Sequence, residues 1–372
     1  MPVSTRLVDL VQFRIDEFLA ERTPEITAIA PELSTVLDFA AGLLSGGKRF
    51  RALFCYWGWQ AVGAGRDDLE LLDAPSPRDL AAVVTASSAL EVFHAAALVH
   101  DDIMDSSDTR RGLPAAHRRF EAVHRDAAWS GNAASFGTSS ALLLGDLLLG
   151  WSDELLDAGL ATLGNRDAAR ASRAEFNRMR TEVTVGQYLD ILEENSWSSR
   201  PEAELLPRAH RVIVSKSAKY SVEEPLAIGA CLGNGSLAQV AALRDFGLPL
   251  GIAYQLRDDL LGVFGDPQVT GKPAGDDLRE GKRTVLIGLA RTKLPATAMH
   301  LLDELLGDKD LDGQQITMLQ TAIRDSGAVA QVERVIDLNV EKARAALATA
   351  PLAASAREQL LQLTDTVTKR VA

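Results

Sequence analysis

Apolar residues recur at spacings of three and four along almost the whole chain, and this period constrains the fold more than any other feature. A 3.6-residue turn gathers such positions onto one stripe, which must be buried against another helix. The pattern predicts helices over Val8–Ala20, Pro31–Leu44, Ala81–Asp105, Ser139–Leu156, Ala168–Leu192, Leu206–Cys231, Ala238–Val263 and Thr284–Ala290. Several more follow Leu294, down to Ala353–Lys369. No run alternates polar with β-branched residues as a half-buried strand does, so the predicted class is all-α, without a sheet. Breaks fall at Gly63–Pro77, Arg119–Gly137, Asn195–Pro207 and Gly265–Gly281, each rich in Gly, Pro, Ser or charge. None is biased enough for an interdomain linker and no fixed repeat is present, so residues 1–372 read as a single domain.

Hydrophobic residues make up 47% and charged residues 24%, which suits a globular chain with a large core. A net charge of -12 argues against nucleic-acid binding, which rests on Lys and Arg neutralising phosphates. A small anion remains possible, because a local field can oppose the net charge. The two cysteines, Cys55 and Cys231, lie in apolar stretches, which predicts no disulfide framework and a reducing cytoplasm. The first ten residues lack a signal peptide's basic and apolar regions. The apolar run Ala81–Val99 is interrupted by Glu91 and His94, so no transmembrane segment is expected.

Two acidic clusters carry the chemistry. Asp101-Asp102-Ile103-Met104-Asp105 ends an otherwise apolar helix, with Asp101 and Asp105 four apart on one face. At roughly 5 Å and an effective dielectric of about 20, two such carboxylates repel by about 3 kcal/mol, a cost that a bound cation removes. Oxygen donors without Cys or His at ligand spacing suit Mg²⁺, which keeps waters and shares its shell with phosphates. A solvated acidic helix end is the plainer explanation of such a string. The apolar stretch before it and the Arg110-Arg111 pair after it, suited to bidentate phosphate recognition, favour a site. In the second cluster, Gln255, Asp258 and Asp259 share a helical face. A Gly-rich loop follows, in which Lys272 and Lys282 could close over a diphosphate.

The basic counterpart is Gly46-Gly47-Lys48-Arg49-Phe50-Arg51, read as a helix start where backbone N–H groups meet an anion, with Lys48 and Arg51 on one face. Ser215-Lys216-Ser217-Ala218-Lys219 carries two further lysines. His94, seven residues before Asp101, lies two turns away on the same side of its helix. A single His on an apolar helix is more often a core residue than a ligand.

These strings, in this order, resemble the polyprenyl synthase family of head-to-tail trans-prenyltransferases, geranylgeranyl diphosphate synthases among them. They read GGKRxR, DDxxDxxxxRRG, a lysine before a small hydroxyl residue, and a DD pair followed by GKxxGxDLxxGK, from Gly46 to Thr284. The resemblance implies a bundle of long antiparallel helices around a central cavity, a homodimer, and three Mg²⁺ ions. Asp101 and Asp105 match ligands of two ions and Asp258 that of the third, with Asp102 and Asp259 in support. Arg110 matches the arginine that grips the allylic diphosphate, assisted by Lys216, Gln255 and Lys272; Lys282 matches a second basic residue of the closing loop. Ser217 stands where the family often has Thr. Lys48, Arg51, His94 and Arg111 match the pocket for isopentenyl diphosphate.

Two departures stand out. Gly262 replaces the last acid of the second motif, which predicts a weaker third metal shell and keeps open an impaired or regulatory subunit. Ala52 replaces a proline and is minor. Ala97 and Phe93 lie one and two turns deeper than Asp101, roughly 6 and 12 Å along the axis, with Ala96 beside Ala97. Two alanines where farnesyl-forming relatives place bulk, over Phe93 as a floor, predict a C20 product, geranylgeranyl diphosphate. Farnesyl or longer products and a class I terpene cyclase are the rivals. The cyclase has no use for an isopentenyl diphosphate pocket.

Overall fold

The computed structural model describes residues 3–63, 77–266 and 275–369. The chain divides into two compact units, Met1–Ala174 with Pro225–Ser236, and Glu175–Glu224 with Leu237–Ala372.

The first unit contains α1 (Val3–Ile29), α2 (Ser34–Leu44), α3 (Phe50–Ala61), α4 (Pro77–Met104), α5 (Ala116–Asp126), α6 (Ala133–Thr162) and the opening of α7 (Arg166–Ser196). Helix α4 is its axis. From Ala82 to Val99 every residue is buried except His94, Ala97 and Leu98, which are half-buried and lie on the same side as Asp101. The opposite side packs along α6. There Ser152 donates to the Ala89 carbonyl at 2.8 Å, and the His100 ring lies against Gly145. Phe93 and Ala96 fall between Ala89 and His100 on this packed side, 4% and 0% exposed. Cys55 and Cys231 are both buried thiols; burial pushes the Cys55 thiol up to about 12, so it behaves as a small apolar group.

The second unit holds the rest of α7, α8 (Glu202–Val212), a π-helical stretch Ile213–Glu223, and the single residue Glu224 of α9 (Glu224–Leu232). Helix α10 (Leu237–Phe264) follows, then α11 (Asp276–Glu280), α12 (Val285–Arg291), α13 (Ala296–Leu305), α14 (Gly313–Asp325), α15 (Ala328–Ala348) and α16 (Ala354–Thr368). Its core gathers Leu256 and Leu260 of α10, Leu286 of α12 and Val332 and Ile336 of α15.

The all-α expectation stands, with three local corrections. The stretch Arg119–Gly137, expected as a break, contains most of α5. Its buried Ala116, Phe120 and His124 step by four, a stripe hidden in the sequence among arginines. The expected helix Leu206–Cys231 is widened to π geometry over eleven residues, which carry Lys216 and Ser217. A two-residue antiparallel ladder, Thr109–Arg110 with Leu113–Pro114, occurs where no strand was expected. It folds the segment after α4 back on itself and sets Arg110 beside the end of that helix.

Candidate active site

In the first unit the acids and the arginines assemble around the C-terminal end of α4. Asp101 and Asp105 are half-buried, one turn apart, with the Asp105 N–H donating to the Asp101 carbonyl at 2.8 Å. Asp102, 1% exposed, points into the protein and accepts from Arg110 Nε at 2.9 Å and from Arg110 Nη2. Arg110 Nη2 also reaches Asp101 at 3.5 Å. A buried carboxylate thus orients the arginine, which is held at the rim of the acid pair.

The GGKRFR string is a turn followed by a helix. Gly46 and Gly47 have φ of 65° and 90°, Arg49 is left-handed at 48°, and α3 begins only at Phe50. Lys48 therefore sits exposed in the turn, outside the helix, and the expected shared helical face with Arg51 does not form. The turn still gathers cations. The Arg111 guanidinium lies 3.4 Å from where a Cβ on Gly47 would stand, and Arg51, Arg111, Arg110 and Arg49 all act electrostatically on His94.

Burial first, then those four positive charges, hold the His94 imidazole well below its ordinary 6.5, so it is neutral near pH 7. Its depressed folded pKa contributes stability that is present above pH 6.5 and is lost as pH falls below it, because the unfolded chain then takes the proton first. Histidine NMR on the free protein should show His94 titrating well below its ordinary 6.5. His94→Gln should flatten the fall in melting temperature between pH 7.5 and 5.5.

The second unit gathers a separate set. Lys216, on the π stretch, donates to Asp190 of α7 at 2.5 Å, and Lys282 reaches Asp190 at 3.5 Å and Glu194 at 3.1 Å. Glycine makes this possible: a Cβ on Gly186 would lie 2.6 Å from the Lys216 backbone nitrogen, so only glycine lets α7 approach the π stretch. Ser217 is half-buried beside Lys216. On α10, Gln255 donates to Asp259 at 2.7 Å. Asp258 is half-buried, whereas Asp259 is 4% exposed and its Oδ2 is buried without a hydrogen-bond partner. Burial above all, opposed by the Gln255 hydrogen bond and reinforced by Asp277, Asp258 and Asp190, raises the Asp259 carboxyl well above the usual range. A hard cation would supply the missing partner and relieve the repulsion, so this all-oxygen set fits Mg²⁺. Among the described residues no three His, Cys, Asp or Glu side chains already converge on one point. Lys272 lies outside the described residues.

Gly262 has a specific neighbour. A Cβ there would stand 2.0 Å from Asp277 Oδ2 and 2.3 Å from Asp277 Cγ. The space of the absent acid is occupied by another acid, from the first turn of α11. Asp277 and Asp190 are the residues that sequence reasoning missed. Their signals were a second aspartate inside the closing-loop motif, and a mid-helix glycine one turn before an aspartate.

A helical fold with acid pairs and clustered arginines defines a diphosphate-handling protein, and comparison with known proteins narrows the class. The sequence model of the polyprenyl synthetase family matches residues 34–323. A geranylfarnesyl diphosphate synthase of Aeropyrum pernix is 30% identical over 329 residues, 88% of this chain and 91% of its own. A geranylgeranyl diphosphate synthase of Mycobacterium tuberculosis is 30% identical over 83% of this chain and 76% of its own. Among solved structures, a geranylgeranyl pyrophosphate synthase from Corynebacterium glutamicum, complexed with isoprenyl diphosphate and magnesium, superposes with a TM-score of 0.90. It is 36% identical and the match covers 98% of this chain and 99% of that one. The chain belongs to the polyprenyl synthetase family and is a trans-prenyltransferase.

Proposed function

We propose that the enzyme joins isopentenyl diphosphate head-to-tail to an allylic diphosphate and releases geranylgeranyl diphosphate. One observation carries this reading. The first unit contains two sets of charged groups, Asp101 and Asp105 with Arg110 at the end of α4, and a cluster of cations in which Arg51 and Arg111 act on neutral His94, with Lys48 exposed in the turn before Arg51. A cyclase needs only the first set; chain elongation needs a second diphosphate held by cations alone. The Corynebacterium and Mycobacterium relatives support a C20 product, and the Aeropyrum one a neighbouring C25.

Mg²⁺, in three ions held by Asp101, Asp105 and Asp258 with Asp102 and Asp259 in support, would neutralise charge on the departing diphosphate. The chain's own groups do the rest. Arg110, held by Asp102, grips the allylic diphosphate, and Lys216 and Lys282, now paired with Asp190, supply positive charge to it, with Lys272 assisting. Gln255 and Ser217 orient that end of the substrate. The apolar face of α4 below Asp101 excludes water from the allylic cation. The double bond of isopentenyl diphosphate, positioned by Lys48, Arg51, His94 and Arg111, attacks that cation, and the released diphosphate takes the proton. We further propose that Asp277, whose carboxylate stands beside Gly262, adds its charge to the second acid cluster.

The family match crosses both units, which supports residues 1–372 acting as one catalytic domain. We place the protein in the cytoplasm as a homodimer. Two helices, Asp79–Met104 and Ala133–Thr162, are long and apolar enough to cross a membrane, but 83% of the first one's apolar window is buried within the fold. Only 28% of the second one's is, and Leu142 and Leu143 are 48% and 66% exposed, a face suited to a second copy. Leu142→Glu with Leu143→Glu should reduce the mass found by light scattering from twice 40.0 kDa to 40.0 kDa.

The deciding experiment is incubation with isopentenyl diphosphate, Mg²⁺ and each allylic primer, followed by product chain length. Failure to elongate any primer overturns the reading in favour of a non-catalytic partner of another synthase. Diphosphate release without added isopentenyl diphosphate would favour a cyclase.

A further inference from the structure

We propose that Glu91 is a positioning residue for isopentenyl diphosphate: its buried carboxylate locks the Gly46–Arg51 turn in the conformation that presents Lys48 and Arg51. This rests on the assignment of those two cations to the isopentenyl diphosphate pocket.

Glu91 sits in the middle of α4, 5% exposed, between Leu90 and Val92, which are equally buried. An ionised carboxylate persists there only where both oxygens are compensated. Both are. Oε1 accepts from the Ala52 backbone N–H at 3.1 Å, and Oε2 faces Arg49 Nη1 at 3.5 Å.

Ala52 is the third residue of α3, whose N-cap, Arg49, supplies no side-chain cap. The amide that a local Ser, Thr or Asp would ordinarily satisfy is therefore satisfied from another helix, 39 residues along the chain. Arg49 itself adopts a left-handed conformation, with φ of 48°, that is strained for a non-glycine residue. It is 5% exposed, with its guanidinium donating to Gln12 at 2.6 Å and to the Leu44 carbonyl. Glu91 thus holds the turn at two points, the strained Arg49 and the first turn of α3, and these bracket Arg51 and follow Lys48. Three residues along α4 from Glu91 stands His94, on whose electrostatics both Arg49 and Arg51 act.

A turn held this way is a lever on one substrate and not the other. Loss of the carboxylate leaves Arg49 without its counter-charge and Ala52 without its acceptor, so Lys48 and Arg51 lose their register. Asp101, Asp105 and Arg110 are held by bonds of their own to the end of α4.

The test measures binding of isopentenyl diphosphate alone to the full chain by titration calorimetry, together with steady-state kinetics for both substrates. Glu91→Gln should weaken isopentenyl diphosphate binding about tenfold and raise its KM similarly. The KM of the allylic primer, and kcat at saturating isopentenyl diphosphate, should stay within about threefold. Gln12→Ala, which loosens Arg49 from the edge of the network, should shift the same constant in the same direction by a smaller factor, and serves where Glu91→Gln folds poorly. A melting temperature that falls while isopentenyl diphosphate affinity is unchanged, or equal losses for both substrates, would overturn the proposal. A wild-type protein that binds isopentenyl diphosphate but elongates nothing would instead overturn the proposed function, leaving the calorimetric comparison to judge Glu91.

Discussion

Restoring the missing acid by Gly262→Asp should lower turnover about 100-fold, not improve it. From sequence alone the change looks like a repair, since it completes a DDxxD motif. In the folded protein a Cβ at 262 would stand 2.0 Å from Asp277 Oδ2, 2.3 Å from its Cγ and 2.6 Å from its Oδ1. Contacts that close are not sustained, so Asp277 must leave. Its carboxylate can rotate about its own side-chain bonds, but only by moving away from position 262 and so away from its present place beside α10. The new carboxylate also joins Asp258, Asp259 and Asp277, where another negative charge at about 5 Å costs about 3 kcal/mol at an effective dielectric of about 20. Loss of one preorganised charge-stabilising contact lowers kcat by about 10²–10³. Gly262→Ala separates shape from charge and should already lose most of the activity. Turnover and Mg²⁺ dependence measured on both variants decide the matter. A Gly262→Asp enzyme with wild-type kcat and tighter Mg²⁺ dependence would mean that Asp277 does not carry the missing charge.

Ala97→Phe should replace the C20 product with a shorter one. Ala97 lies one turn below Asp101 and, with His94 and Leu98, is one of the residues between Ala82 and Val99 that are not fully buried. A phenyl ring there projects into the track a growing tail would follow. Overpacking costs about 1–3 kcal/mol, which corresponds to a fall in the C20:C15 ratio of about 5- to 150-fold. Ala96 supplies the contrast. It is fully buried on the side of α4 that faces α6, so Ala96→Phe should lower the melting temperature instead of trimming the product. Phe93 lies on that same packed side, so the floor expected of it is not on the open face of α4; Phe93→Ala should cost about 3–5 kcal/mol for the cavity and leave the product length unchanged. Chain lengths of the dephosphorylated products, read beside melting temperatures, separate these cases. An unchanged product spectrum in Ala97→Phe would remove Ala97 from the tail track.

The helices were legible because burial of one face imposes a 3.6-residue period on the chain itself. Where that signal was overlaid by charge, as in α5 with Arg118, Arg119 and Arg125 around buried Phe120, the helix was missed. The site's cations and acids were legible as residue types in order, since a diphosphate requires them whatever the backbone does. Their partners were not. Nothing local pairs Asp190 with Lys216, or Glu91 with the Ala52 amide; those contacts span 26 and 39 residues.

Gly262 shows where the division lies. The amino-acid order by itself determined an all-α chain, two acid clusters, and a basic turn, because periodicity and charge are properties of residues along a line. It also exposed the second cluster as one acid short. Only the tertiary structure decided that the vacancy is filled, because the carboxylate of Asp277 comes from fifteen residues along the chain and occupies volume that a side chain at 262 would need. Close packing is a relation between distant segments, and it puts another acid in the space that the apparent loss leaves.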